Sequence, residues 1–189
     1  MKAVLICVTG MPGAGKSEVA MRIAKRLNAK LLNMGDFVRS EALRRGIPID
    51  RENLMRLANE LREEMGPDAV AKLVLASIVE GSLYVIDGVR NLEEVDTFRS
   101  KTSVILIAVH ASPKERFKRL LSRGREDDPK NYQEFLERDL KELKLGLGNV
   151  IAMADLIVVN QGRDIESVVE EALRMIEEVL KDVHANSNV

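Results

Sequence analysis

The stretch "TGMPGAGKSE", Thr9 to Glu18, sets Gly10, Gly15, Lys16 and Ser17 on the spacing G-x-x-x-x-G-K-[ST]. Hydrophobic "AVLICV" (Ala3–Val8) runs ahead of it, and Val19, Ala20, Ile23, Ala24 and Leu27 repeat behind it at helical spacing. Strand, glycine-rich turn and helix in that order make an anion cradle. The glycines let successive backbone N–H groups curl inward, and the first helical turn adds unpaired donors at the positive end of its dipole. Gly10, Met11, Pro12, Gly13, Ala14, Gly15, Lys16 and Ser17 are therefore expected to hold a nucleotide's phosphates. Lys16 would reach the β- and γ-phosphates, and the Ser17 hydroxyl would ligate Mg²⁺.

The same alternation continues along the chain. Apolar runs at Ala3–Val8, Lys30–Asn33, Leu83–Asp87, Val104–Val109 and Asp155–Val159 are too short for typical helices, and most are rich in Val, Ile and Leu. Helical stripes fill the gaps: Leu92, Val95 and Phe98; Phe117, Leu120 and Leu121; Tyr132, Phe135, Leu136, Leu140 and Leu143; Ile165, Val168, Val169, Ala172, Leu173 and Ile176. This pattern predicts an α/β fold with a five-stranded parallel sheet covered by helices on both faces. Ser112 and Asn91 are expected to cap helices, with Pro113 at a first position and Glu115 and Glu94 reaching back. Between the second and third strands, residues 34–80 hold about three helices broken at "RGIPID" and "MGPDA", and no strand. An all-helical insertion there reads as a small subdomain clamping a ligand over the C-terminal edge of the sheet.

At 189 residues the chain is expected to form one domain over 1–183, followed by a disordered tail at 184–189. Its 29 Lys+Arg against 30 Asp+Glu give no global attraction to nucleic acid or membrane. Aromatic residues make up 3%, too few for a base-stacking surface, which argues further against nucleic acid. No apolar run approaches a bilayer span, and "MKAVLICV" leads into the phosphate loop without a cleavage site, so a cytoplasmic protein is expected. Cys7 is the one cysteine and reads as a core thiol. Monomer and homo-oligomer both remain open.

Further chemistry gathers at the ends of the predicted strands. In "NMGDFVR", Asp36 and Arg39 lie three apart and share a helix face. In "LYVIDGVR" a strand delivers Asp87 to the sheet edge, Gly88 turns the chain and Arg90 follows; Asp87 suits Mg²⁺ opposite Ser17, or a capping role before the turn. In "RFKRLLSRGREDD", Arg116, Arg119 and Arg123 fall on one helix face and Arg125 follows Gly124, an arrangement that an anionic ligand would stabilise. Arg138, with Glu134 and Glu142 four residues to either side, reads equally as a surface ladder or a phosphate contact, and His110 reads as packing or capping. A GTPase would carry N-K-x-D, but "NMGD" and "NQGRD" lack the lysine.

Taken together, the phosphate loop, "GDFVR", "IDGVR" and the R-x-x-x-R-x-R-x-D-D segment resemble the nucleoside monophosphate kinase superfamily, in particular its archaeal adenylate-kinase-related group. "ADLIVVNQG" is similar to the adenine-side strand and loop of dephospho-coenzyme A kinases. The resemblance implies a three-layer P-loop NTPase of adenylate kinase-like type, with residues 34–80 as the acceptor-binding insertion and 119–130 as a short lid. It implies ATP and Mg²⁺ held by Lys16, Ser17 and Asp87, with adenine lined by Asn160, Gln161 and Gly162. Asp36, Arg39, Gly88 and Arg90 would bind the acceptor, and Lys16, Arg90, Arg119, Arg123 and Arg125 would serve catalysis. AMP is the favoured acceptor. A hydroxyl acceptor, as in dephospho-coenzyme A, would need a general base, for which Asp36 is placed, and an ATP/AMP-sensing switch with little turnover is the rival from another class. Adenylate kinases usually read D-G-F-P-R where this chain has Asp87-Gly88-Val89-Arg90, so its arginine stands one residue closer.

Overall fold

The computed structural model describes residues 2–186, and the side chains of 2–181. Five parallel strands form one sheet in the order β2-β3-β1-β4-β5: β1 (Val4–Thr9), β2 (Lys30–Asn33), β3 (Leu83–Asp87), β4 (Ser103–His110) and β5 (Leu156–Val159). The central position of β1 explains its unbroken hydrophobic run, because both of its faces are covered. Leu5 and Cys7 face one layer of helices, and Ile6 and Val8 the other. Burial pushes the Cys7 thiol far up, so it is an inert core residue, as expected.

Helices α1 (Lys16–Arg26) and α9 (Ile165–Asn186) cover one face with Val19, Ala20, Ile23, Val168, Val169, Ala172 and Ile176. The other face carries α2 (Met34–Arg45), α3 (Arg51–Met65), α4 (Ala69–Leu75), α5 (Leu92–Lys101) and α8 (Leu147–Ala152). Three helices thus separate β2 from β3. Gly46 ends α2 in the left-handed region, and the Asp50 side chain caps α3 by accepting from the Asn53 N–H at 2.9 Å.

The chain leaves β1 for a helix on one face and β3 for a helix on the other. The two loops part at the C-terminal edge of neighbouring strands and open a crevice between them. Two bonds tie its walls together: the Thr9 hydroxyl donates to the Val89 carbonyl at 2.9 Å, and the Gly88 N–H to the Val8 carbonyl at 3.1 Å.

Three local expectations change. The stripe on α7 (Tyr132–Lys144) is helical, but Tyr132, Leu136, Leu140 and Leu143 stay exposed while Phe135 and Asp139 face inward. The reason is electrostatic: buried Arg116 of α6 (Pro113–Arg123) draws Asp139 toward the core. His110 is exposed at the end of β4. Finally, α9 continues through 184–186, three residues into the stretch expected to be disordered, whose remainder, 187–189, lies outside the described residues.

Candidate active site

The Gly10–Ser17 loop is held by its backbone carbonyls. Arg116 donates from Nη1 to the Pro12 carbonyl at 3.1 Å, Asn160 from Nδ2 to the Ala14 carbonyl at 2.9 Å, and Arg119 from Nη1 to that same carbonyl at 3.4 Å. With these oxygens taken up, and the first helical bond running from the Val19 N–H to the Gly15 carbonyl, the N–H groups of Gly15, Lys16 and Ser17 remain for an anion. All three loop glycines are obligatory: a Cβ on Gly13, at φ +82°, would lie 2.8 Å from the Arg116 carbonyl oxygen. A Cβ on Gly10 would lie 2.4 Å from the Val109 carbonyl oxygen, and one on Gly15, at φ +89°, 2.3 Å from Asn160 Nδ2.

Asn160 and Arg119 both bond to the loop. The buried Asn160 amide is spent on the loop, and Arg119 also donates to the Asn160 carbonyl at 2.8 Å, so both brace the cradle from behind. Gln161 accepts from the Ser112 N–H at 2.9 Å, the place Glu115 was expected to fill; Glu115 instead accepts from Arg119 Nε at 3.0 Å. Gly162 is an open turn at φ +70°.

Lys16 sits half-buried at the floor of the crevice. Burial lowers its pKa, and the Asp87 carboxylate opposes that shift. Asp87, 3% exposed, accepts from Asn33 Nδ2 at 3.0 Å through Oδ2, while its buried Oδ1 has no partner among the described residues. One orphaned carboxylate oxygen and the exposed Ser17 hydroxyl suit Mg²⁺, which takes one or two protein ligands and completes its shell with phosphate oxygens and water.

On the α3 side of the crevice stands a group of arginines and glutamates. Arg90 Nη1 meets both Glu142 oxygens at 3.4 Å, and the Arg90 N–H donates to Glu94 Oε2 at 2.8 Å. Arg62 donates to the Ala58 carbonyl at 3.2 Å but reaches Glu94 only at 3.8 Å, and its buried Nε has no partner among the described residues. Burial pushes Glu94 up and Arg62 down, as happens when a pair is too far apart for attraction to offset lost hydration. Arg90 thus touches both carboxylates, Glu142 through its side chain and Glu94 through its backbone N–H. A cavity of about 20 Å³, lined by Gly10, Pro12, Lys16, Val89, Arg90, Glu142 and Leu147, lies between the phosphate loop and the Arg90–Glu142 pair. Asp36 and Arg39 pair with each other on exposed α2, with Arg39 Nε at 3.0 Å from Asp36 Oδ1, and line neither this cavity nor the next.

Asp128 organises the segment 119–130. Its carboxylate accepts from Arg123 Nε at 2.8 Å, from the Arg125 N–H at 3.1 Å and from Arg138 Nη1 at 3.3 Å, and the Arg123 bond above all holds its pKa down at about 2. Arg138 thus pairs with neither Glu134 nor Glu142; it turns to this segment and shares the Asp127 carbonyl, at 3.3 Å, with Arg51 of α3 at 2.7 Å. A second cavity, about 500 Å³, opens between α3, this segment and α7, with both charge signs on its walls and no residue of the Gly10–Ser17 loop. Arg125 is exposed, and its side chain has no partner among the described residues.

Similarity to known proteins agrees with this geometry. An AAA-domain family model matches residues 9–135, which contain the loop, Asp87, Arg90 and Arg123. The UPF0200 protein TK1334 of Thermococcus kodakarensis is 44% identical over 183 residues, covering 93% of this chain and 98% of that one. The chain belongs to the UPF0200 family. A second member, MJ1399 of Methanocaldococcus jannaschii, is 44% identical over 186 residues, covering 96% and 91%. Among solved structures, a gluconokinase from Sinorhizobium meliloti aligns with a TM-score of 0.61 at 16% identity, covering 96% of each chain. A shikimate kinase from Bacteroides thetaiotaomicron aligns at 0.62 and 18%, covering 92% and 98%. The fold of this UPF0200 chain is that of the P-loop kinases.

Within it, Lys16 and Arg90 line one cavity, the Asp87 carboxylate acts on Lys16, Arg119 and Asn160 bond to loop carbonyls, and Arg39 lines neither cavity. The reading from sequence assigned no role to Asn33, Arg62 or Asp139, and it placed Glu94 with Asn91 and Glu142 with Arg138, where the structure turns both to Arg90. Asn33 had a usable signal, since it ends β2 as Asp87 ends β3 and the two are register partners. The four charged residues sit on helices whose orientation only packing determines.

Proposed function

We propose that this protein transfers the γ-phosphoryl group of Mg-ATP to a small acceptor that itself carries a phosphate, a nucleoside monophosphate such as AMP. The observation that carries this is the loosely paired Arg90 guanidinium, which lines one cavity with Lys16 and stands 3.4 Å from its Glu142 carboxylate; Arg62, 3.8 Å from Glu94 and with a buried Nε that has no partner among the described residues, adds a second guanidinium on the α3 side. Guanidinium forks held loosely by the chain's own carboxylates are suited to exchange them for a phosphate, which they meet with two parallel N–H donors.

In this reading the Gly10–Ser17 loop grips the donor's β- and γ-phosphates and Lys16 follows the γ-phosphoryl group as it moves. Mg²⁺ at Ser17 and Asp87 supplies neutralising charge when bound. Arg90 and Arg62 orient an acceptor oxygen for in-line attack on the γ-phosphorus, while the bond to the bridging oxygen breaks and ADP leaves with that electron pair. A phosphate oxygen is already ionised, so no general base is needed, in keeping with an Asp36 engaged by Arg39. Residues 119–130 act as a lid in this reading, and Arg125, exposed and without a side-chain partner among the described residues, closes on the transferring group.

The test is transfer of labelled phosphate from ATP to a panel of nucleoside monophosphates and of hydroxyl acceptors including dephospho-coenzyme A. Labelled nucleoside diphosphate, lost on Arg90→Ala and kept on Asp36→Asn, is expected. Transfer to a hydroxyl compound that vanishes on Asp36→Asn would overturn the assignment, and binding of both nucleotides without transfer would favour the sensing switch.

A further inference from the structure

Glu142 is a carboxylate inside a crevice built for anions. It comes from α7, outside both the Gly10–Ser17 loop and helices α2–α4, and its side chain is 16% exposed. It shares a cavity of about 20 Å³ with Lys16 and Arg90, room for about one water molecule and none for a phosphoryl group.

Two arginine–carboxylate pairs on α7 are built differently. Asp139 meets Arg116 in a bidentate pair at 2.6 and 2.9 Å, and that pair is buried. Glu142 meets Arg90 through one nitrogen, with both oxygens at 3.4 Å, well beyond the length of a strong charge-assisted bond, and Arg90 is half exposed. The first is a permanent brace. The second is exchangeable, because a loose, partly hydrated pair contributes little to stability.

We propose that Glu142 is a resident counter-anion: its carboxylate occupies the ground between Lys16 and Arg90 that a substrate phosphate takes, and must move aside before either substrate seats. A phosphate dianion brings more charge and more oxygens than the carboxylate it displaces, whereas a substrate with only a carboxylate does not, so Glu142 selects for phosphorylated acceptors. It also links the two substrates. Whichever binds first bears the cost of moving Glu142, the second binds to a crevice already cleared, and the coupling is reciprocal. This inference rests on the donor–acceptor reading above.

Calorimetric titration separates the two. The Mg²⁺ complex of a non-hydrolysable ATP analogue and AMP are each titrated alone and in the presence of the other, with the wild type, Glu142→Gln and the shorter Glu142→Asp. In the wild type each ligand should tighten the other by about two- to fivefold, the range set by a partly exposed ion pair. In Glu142→Gln the ATP analogue alone should bind tighter by about that factor and the coupling should fall to about one, with Glu142→Asp between the two. A Glu142→Gln protein that melts with the wild type, yet binds the analogue no more tightly and keeps the same coupling, would overturn the proposal. If AMP binds neither protein while the analogue still tightens in Glu142→Gln, the AMP reading falls and Glu142 keeps its role; if AMP is phosphorylated and nothing tightens, the reverse holds.

Discussion

Replacing Asp139 by asparagine tests the brace behind the phosphate loop. In the native chain Arg116, with a side chain 5% exposed, is matched by Asp139 at 2.6 and 2.9 Å, donates to the Pro12 and Ala111 carbonyls at 3.1 and 3.2 Å, and lies 5.0 Å from the centre of the Phe135 ring. Asp139→Asn leaves that buried cation without its counter-charge, which typically costs about 3–5 kcal/mol. The two carbonyls and the ring face remain, so the low end applies, about 3 kcal/mol. For a chain of this size that corresponds to a melting temperature lower by about 6–12 °C. The same Nη1 serves Asp139 and Pro12, so the loop should slacken and the KM for ATP rise. The double variant Arg116→Met with Asp139→Leu separates the effects: removing both charges should leave the melting temperature near that of the wild type, while the KM for ATP stays raised because Pro12 has lost its donor. Thermal melting and ATP saturation curves on both variants are the measurements. Asp139→Asn melting within about 2 °C of the wild type would refute the reasoning, because a broken buried pair is worth more than that.

Other perturbations follow from the same geometry. Lys16→Ala should abolish transfer without lowering stability, because burial already disfavours the charged amine in the folded chain; circular dichroism and a transfer assay check both. The unfolded chain binds the Lys16 proton more tightly than the native one, so below pH 10.5 and above the lowered native value this residue should make wild-type stability rise with pH, a slope Lys16→Ala should lose in denaturant titrations. Asp128 is the opposite case: its pKa of about 2 lies below the usual 3.8, so its contribution is full above 3.8 and lost as pH falls through 2. Allowing for the partly exposed Arg123, Asp128→Asn should cost about 1–2 kcal/mol at neutral pH and progressively less in acid. Arg125→Ala should lower kcat by on the order of 10³ with little change in the KM for ATP, whereas Arg123→Ala, which removes an anchor of Asp128, should mainly raise protease cleavage near Gly124.

The sequence by itself determined the layered fold and the phosphate cradle, because both rest on local chemistry. Each strand is a short apolar run, and the loop is legible because its glycines, lysine and serine are contiguous and bracketed by a strand and a helix. Asp87 and Arg90 were legible for a similar reason, since they lie at the end of a strand whose direction is shared by the whole sheet. Which arginines face the crevice was a tertiary matter. Arg116 and Arg119 share a helix face with Arg123, yet the first two turn to loop carbonyls and the third to Asp128, because each guanidinium takes whichever acceptors the fold brings near. The orientation of α7 decided the rest: it turned Asp139 to the brace, Arg138 to the segment above and Glu142 into the crevice, and left four apolar side chains exposed. Helical periodicity determines which residues share a face, but the buried charge of Arg116, itself placed by a helix 23 residues away in sequence, selects the face that turns inward.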